Sequence, residues 1–78
     1  MKITDFALFI GEIDDETDFV PAKLYPVLEP VHNDPKDYLR IIDESGEDYL
    51  YPTENFQIVE LNQEILNNLK HHFELALV

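Results

Sequence analysis

The side chains with chemical potential in this sequence are mostly carboxylates. Seventeen Asp and Glu stand against five Lys and Arg, a formal charge of −12 at pH 7. Five of the acids, Glu12, Asp14, Asp15, Glu16 and Asp18, crowd into one short stretch. Two carboxylates at a suitable separation can hydrolyse a glycoside, but among seventeen some pair reaches that separation by chance. The hydroxyls of Thr17, Ser45 and Thr53 lie in no nucleophile-elbow or phosphate-loop context. Two glycines, Gly11 and Gly46, cannot build a phosphate cradle. His71 and His72 are neighbours, so on a helix they point about 100° apart and cannot chelate one ion together. The stretch 12–18 lacks the alternating Asp/Asn ligands, central glycine and closing glutamate of an EF-hand. Cysteine is absent, which removes thiolate metal sites and disulfides. These residues predict no catalytic group, no metal and no cofactor: a non-enzyme.

What so much negative charge can do is choose partners. Phosphate backbones require Lys and Arg, so direct nucleic-acid binding is disfavoured. Proteins with a basic surface are favoured instead. The opening MKITDFALFIGE is too short and too acid-flanked for a secretory signal or a membrane span, so a cytoplasmic protein is expected.

The elements that must position these groups are short. Residues 3–10, 23–28, 38–43 and 48–51 combine alternation with β-rich composition and predict strands. Pro26 cannot donate a ladder hydrogen bond, which predicts an edge strand or a bulge. Ser45-Gly46 predicts a two-residue hairpin turn pairing Ile42 with Tyr49, Ile41 with Leu50 and Arg40 with Tyr51. Both faces of that hairpin then carry apolar groups. The same register sets Glu44 against Glu47 and Asp43 against Asp48, an unfavourable arrangement that a longer loop would relieve by splaying the acids into water. Residues 62–78 predict a helix with Asn62 as N-cap. Ile65, Leu66, Leu69, Phe73, Ala76 and Leu77 form one apolar stripe on it. Fully buried, that stripe is worth on the order of 8–12 kcal/mol before entropy. It must therefore dock on the strands or on a second copy in a homodimer, and docking within the chain is the expectation.

Two segments resemble the ends of SH3 domains. FALFIGEIDDETDF is similar to their first strand and acid-rich first loop. YLYPTENFQIVE is similar to their ending, where a proline opens a single 3₁₀ turn and a last strand starts at an aromatic. A closer resemblance is to a group of small bacterial SH3-like proteins, through Tyr25 to Glu29, Tyr38 to Pro52, and Phe56. The resemblance implies a mainly β fold: a small five-stranded SH3-like barrel over residues 1–61, completed as a single domain by the C-terminal helix 62–78. It would place Phe9, Tyr38, Pro52 and Phe56 along a groove for proline-rich peptides. Phe9 and Phe56 stand where tyrosine hydroxyls are usual and Tyr38 where a tryptophan is usual, so stacking survives better than directed hydrogen bonding.

The expected function is a protein-interaction module. An aromatic patch of Tyr38, Tyr49, Tyr51, Pro52 and Phe56 would anchor a basic protein, steered by Glu12, Asp14, Asp15, Glu16 and Asp18. Two other readings compete: an acidic inhibitor, immunity protein or nucleic-acid mimic that blocks a basic groove, and a structural subunit that dimerises through its helix.

Overall fold

A computed structural model describes residues 2–12, 19–31 and 33–77, the last four by their backbone. It contains strands β1 (Ile3–Phe9), β2 (Leu24–Leu28), β3 (Tyr38–Ile42), β4 (Asp48–Pro52) and β5 (Phe56–Val59), and helix α1 (Gln63–Leu77). All strand pairings are antiparallel, in one sheet of order β4-β3-β2-β1-β5. The chain is therefore mainly β with one C-terminal helix. No ladder joins β4 to β5, so the sheet is open rather than closed by hydrogen bonds.

Alternation along the strands sends apolar groups to both faces. One face carries Ala7, Phe9, Tyr25, Val27, Ile41 and Phe56, with Phe19 from the loop after β1 buried among them. Phe19 is the hub. Its ring lies 5.0 Å from Phe9, 4.8 Å from Tyr25, 4.7 Å from Tyr51 and 5.1 Å from Phe56, mostly edge-on. The other face carries Ile3, Phe6, Leu28 and Ile42. Ile3 and Phe6 have opposite parity, and a register shift between Ile3 and Asp5 turns both toward the same side.

Helix α1 covers that second face. Leu66, Leu69 and Phe73 pack against it, with Phe73 and Phe6 rings 5.5 Å apart. Asn62 accepts the Ile65 amide at 2.9 Å through its side chain, satisfying a donor the first turn leaves open. The three packed residues are only half-buried, which reduces their contribution to roughly 3–5 kcal/mol gross. Ile65 faces water at 46% exposure. The side chains of Ala76 and Leu77 lie outside the described residues.

Two local expectations are corrected. Strand β2 lies inside the sheet, not at its edge. Its ladder to β3 starts only at Val27, so Pro26, paired with Phe6 of β1, sits beyond that ladder and deprives β3 of no bond. The β3–β4 hairpin is offset by one residue from the predicted register: Ile42 faces Asp48, Ile41 faces Tyr49 and Arg40 faces Leu50. The loop holds three residues. Asp43 donates its amide to Glu47 O at 3.1 Å, the Gly46 amide returns to Asp43 O at 3.0 Å, and Gly46 takes a left-handed φ of 83°. Asp43 causes the extra residue. Its carboxylate accepts the Ser45 amide and hydroxyl and, at 2.6 Å, the Tyr51 hydroxyl, so it points inward at 5% exposure.

Candidate binding surface around Tyr38

Strand β3 begins at Tyr38, whose amide bonds to Pro35 O at 3.3 Å. The loop before it is built on Asp34. That residue's amide bonds to Val31 O at 3.1 Å and its carboxylate accepts the Val31 amide at 3.0 Å. Asn33 between them takes φ 75°, a conformation its short polar side chain tolerates. Arg40 then clamps the loop to the hairpin. Its guanidinium donates two bonds to Asp34, at 3.0 and 2.8 Å, and one to Asp48 at 2.9 Å. This fork geometry suits arginine and not lysine. The Arg40 contact holds the Asp34 carboxyl below the usual carboxylate range, and Asp34 and then Asp48 keep Arg40 more firmly protonated.

Tyr38 stands 44% exposed between two depressions. One, of about 520 Å³, is walled by β1, β2, the loop around Asp34, β3 and Ile58 of β5. The other, of about 470 Å³, lies between Asp37, Tyr38, Pro52, Thr53 and Glu54. A hydrogen bond of 2.9 Å from the Thr53 amide to Asp37 O ties the 3₁₀ turn Thr53–Asn55 against the base of Tyr38. Pro52, with φ −58° and ψ 131°, opens that turn. The surface is thus a tyrosine set among prolines with acids at its rim.

The other sequence-predicted residues separate. Tyr49 is 51% exposed, but it shares the face of Ile41, whereas Tyr38 projects to the opposite side of the hairpin. Its hydroxyl donates to Glu47. Tyr51 is half-buried against the aromatic core, and Phe56 and Phe9 are buried in it. A single aromatic patch is therefore corrected to one exposed tyrosine, Tyr38, beside Pro52, with Tyr49 apart from them. The proline-peptide groove is corrected likewise, since Phe9 and Phe56 are core. Glu12 is exposed, while Asp14, Asp15, Glu16 and Asp18 lie outside the described residues.

A second polar centre joins the hairpin tip to the loop after β1. Tyr25 accepts the Val20 amide at 2.6 Å and donates to Glu44 at 2.7 Å. Glu44 also takes Lys23 at 2.5 Å. Burial first, then the hydrogen bond and charge of Glu44, pushes the Tyr25 hydroxyl up to about 12. Burial would raise Asp43 too, but the bonds from Ser45 and Tyr51 outweigh it and hold this carboxyl below its usual range. The hydrogen bond from Lys23 lowers Glu44. The sequence reading singled out neither centre. An arginine inside the apolar run YLRII was the available signal for the first, because a charge there needs partners.

No protein-family model matches the chain, and neither the curated proteins nor the solved structures give a match. No helix among the described residues is long and apolar enough to cross a membrane.

Proposed function

We propose that this chain is a non-enzymatic protein-interaction module of the SH3-like kind, contacting a basic partner through the surface centred on Tyr38. The observation that carries the reading is Tyr38 itself, a large aromatic half in water between two depressions on a clamped loop. Exposed aromatics held rigidly cost little entropy on binding and are common interface anchors. The meander order β4-β3-β2-β1-β5 and the 3₁₀ turn between β4 and β5 support the SH3-like barrel. The net charge of −12 supports a basic partner and rim contacts that act mainly on the association rate.

The acidic-mimic reading draws on the same charge. Among the described bases Arg40 and Lys23 are already paired within the chain, leaving the surface still more negative. A helix-mediated dimer gains less support, because Leu66, Leu69 and Phe73 pack on their own sheet.

Immobilised protein exposed to a cell lysate at low and high salt, beside Tyr38→Ala, separates these. The module reading expects a basic protein that the wild type retains and Tyr38→Ala loses, with salt slowing its capture. Retention indifferent to Tyr38→Ala but abolished by salt would replace it with the mimic.

A further inference from the structure

The larger depression contains a carboxylate that no described residue meets. Asp5 pairs with Val27 across the β1–β2 ladder, and Val27 pairs with Ile41 across β2–β3. Paired residues share a face, so Asp5 lies on the aromatic-core face, two residues before the fully buried Ala7. Alternation calls for an apolar side chain there. Instead the partly exposed Asp5 stands there with no hydrogen bond or ion pair to any described residue. Its oxygens still reach solvent, but an acid where alternation assigns an apolar group is a departure from local consistency of the kind that concentrates at functional positions.

Around it the groove is apolar: Val27, Leu39, Ile58 and Pro35 line it, with Tyr38 at its margin. Arg40 in the lining is spent on Asp34 and Asp48. Lys36 also borders the groove without an ion pair to any described residue, but it is exposed, where solvent and salt screen it. The volume of about 520 Å³ admits one long side chain with part of its backbone.

We propose that this groove receives an arginine side chain of the protein partner, its guanidinium meeting Asp5 and its stem lying on Leu39 and Ile58, with Tyr38 at the margin. The guanidinium is weakly hydrated, stacks on aromatic faces and forks onto a carboxylate, which matches an apolar slot with one acid that no described residue meets. This inference rests on the interaction-module reading and names the partner's anchoring chemistry.

The test uses the full chain and the capped peptide Gly-Arg-Gly, with its citrulline counterpart as the neutral isostere, followed by amide NMR. The arginine peptide should bind weakly and shift the amides of Thr4, Asp5, Val27, Leu39 and Ile58, while the citrulline peptide should not. Asp5→Asn should weaken binding about tenfold, the loss of one charge-assisted contact. Asp5→Leu should raise the melting temperature of the free protein by a few degrees, because it lowers the net negative charge and puts an apolar side chain on an apolar face.

Equal binding of the citrulline peptide, or no effect of Asp5→Asn, would overturn the proposal. Shifts confined to Glu12 and Phe19 would also overturn it and leave the module reading standing on its own Tyr38 test. Free agmatine binding as tightly as the peptide would reassign the groove to small organic cations and remove the protein arginine.

Discussion

Asp43 decides the geometry of a hairpin, which no pairwise propensity would assign to it. Its carboxylate collects the Ser45 amide and hydroxyl and the Tyr51 hydroxyl, and the loop lengthens by one residue around it. Asp43→Asn keeps the shape but cannot accept all three donors, so it should lower stability by about 1–3 kcal/mol in denaturant titration. No change would mean the carboxylate is incidental. Gly46→Ala should cost about 1–2 kcal/mol, because φ 83° strains any Cβ although open space surrounds it. Tyr25 makes an alkaline prediction. Its folded pKa of about 12 exceeds the unfolded value near 10, so the native state holds the proton longer. Stability from this group is complete below pH ~10 and declines toward pH ~12, by roughly 2–3 kcal/mol. Chemical denaturation across that range should show the decline, and Tyr25→Phe should flatten it. Asp43, with its lowered pKa, acts in the opposite direction: its contribution is present above the ordinary carboxylate range near pH 4 and disappears as pH falls below it.

At the scale of elements, the legible parts were those fixed by periodicity. Four strands and a helix follow from alternation, the 3.6-residue stripe and Asn62 as N-cap, because each signal is local, and the fifth strand from the resemblance of the segment after Pro52. The hairpin register was not legible, since it depends on where the Asp43 side chain turns. Nor was the depth of Phe19, which reads as the end of a polar loop and becomes the centre of the aromatic cluster by packing on rings from four strands. The exposed patch failed for the same reason. Tyr51 and Phe56 look alike in sequence to Tyr38, and only the curl of the sheet separates core from surface. Helix α1 yields a direct test. Phe73→Ala removes the ring that meets Phe6 and should cost about 1–3 kcal/mol, below the 3–5 of a fully buried site. Ile65→Ala should change stability by less than about 0.5 kcal/mol because its side chain is in water. Equal costs for the two would mean the helix presents a different face to the sheet.

For the whole molecule, one property acts on folding and on binding with opposite signs. A charge of −12 on 78 residues repels itself more in the compact state than in the expanded one. Added salt shortens the screening length from about 30 Å at 0.01 M to about 10 Å at 0.1 M, relieving that repulsion. The melting temperature of the free protein should therefore rise with sodium chloride. The clamp Asp34–Arg40–Asp48 opposes the trend only weakly, because its charges are in direct contact and largely shielded from solvent. The same screening removes the long-range attraction for a basic partner, so the association rate should fall steeply over the same interval while dissociation barely changes. Calorimetry of the free chain and surface-binding kinetics in matched buffers measure both slopes. If the melting temperature falls with salt, local ion pairs outweigh net repulsion. Steering is judged separately, and an association rate indifferent to salt would remove it.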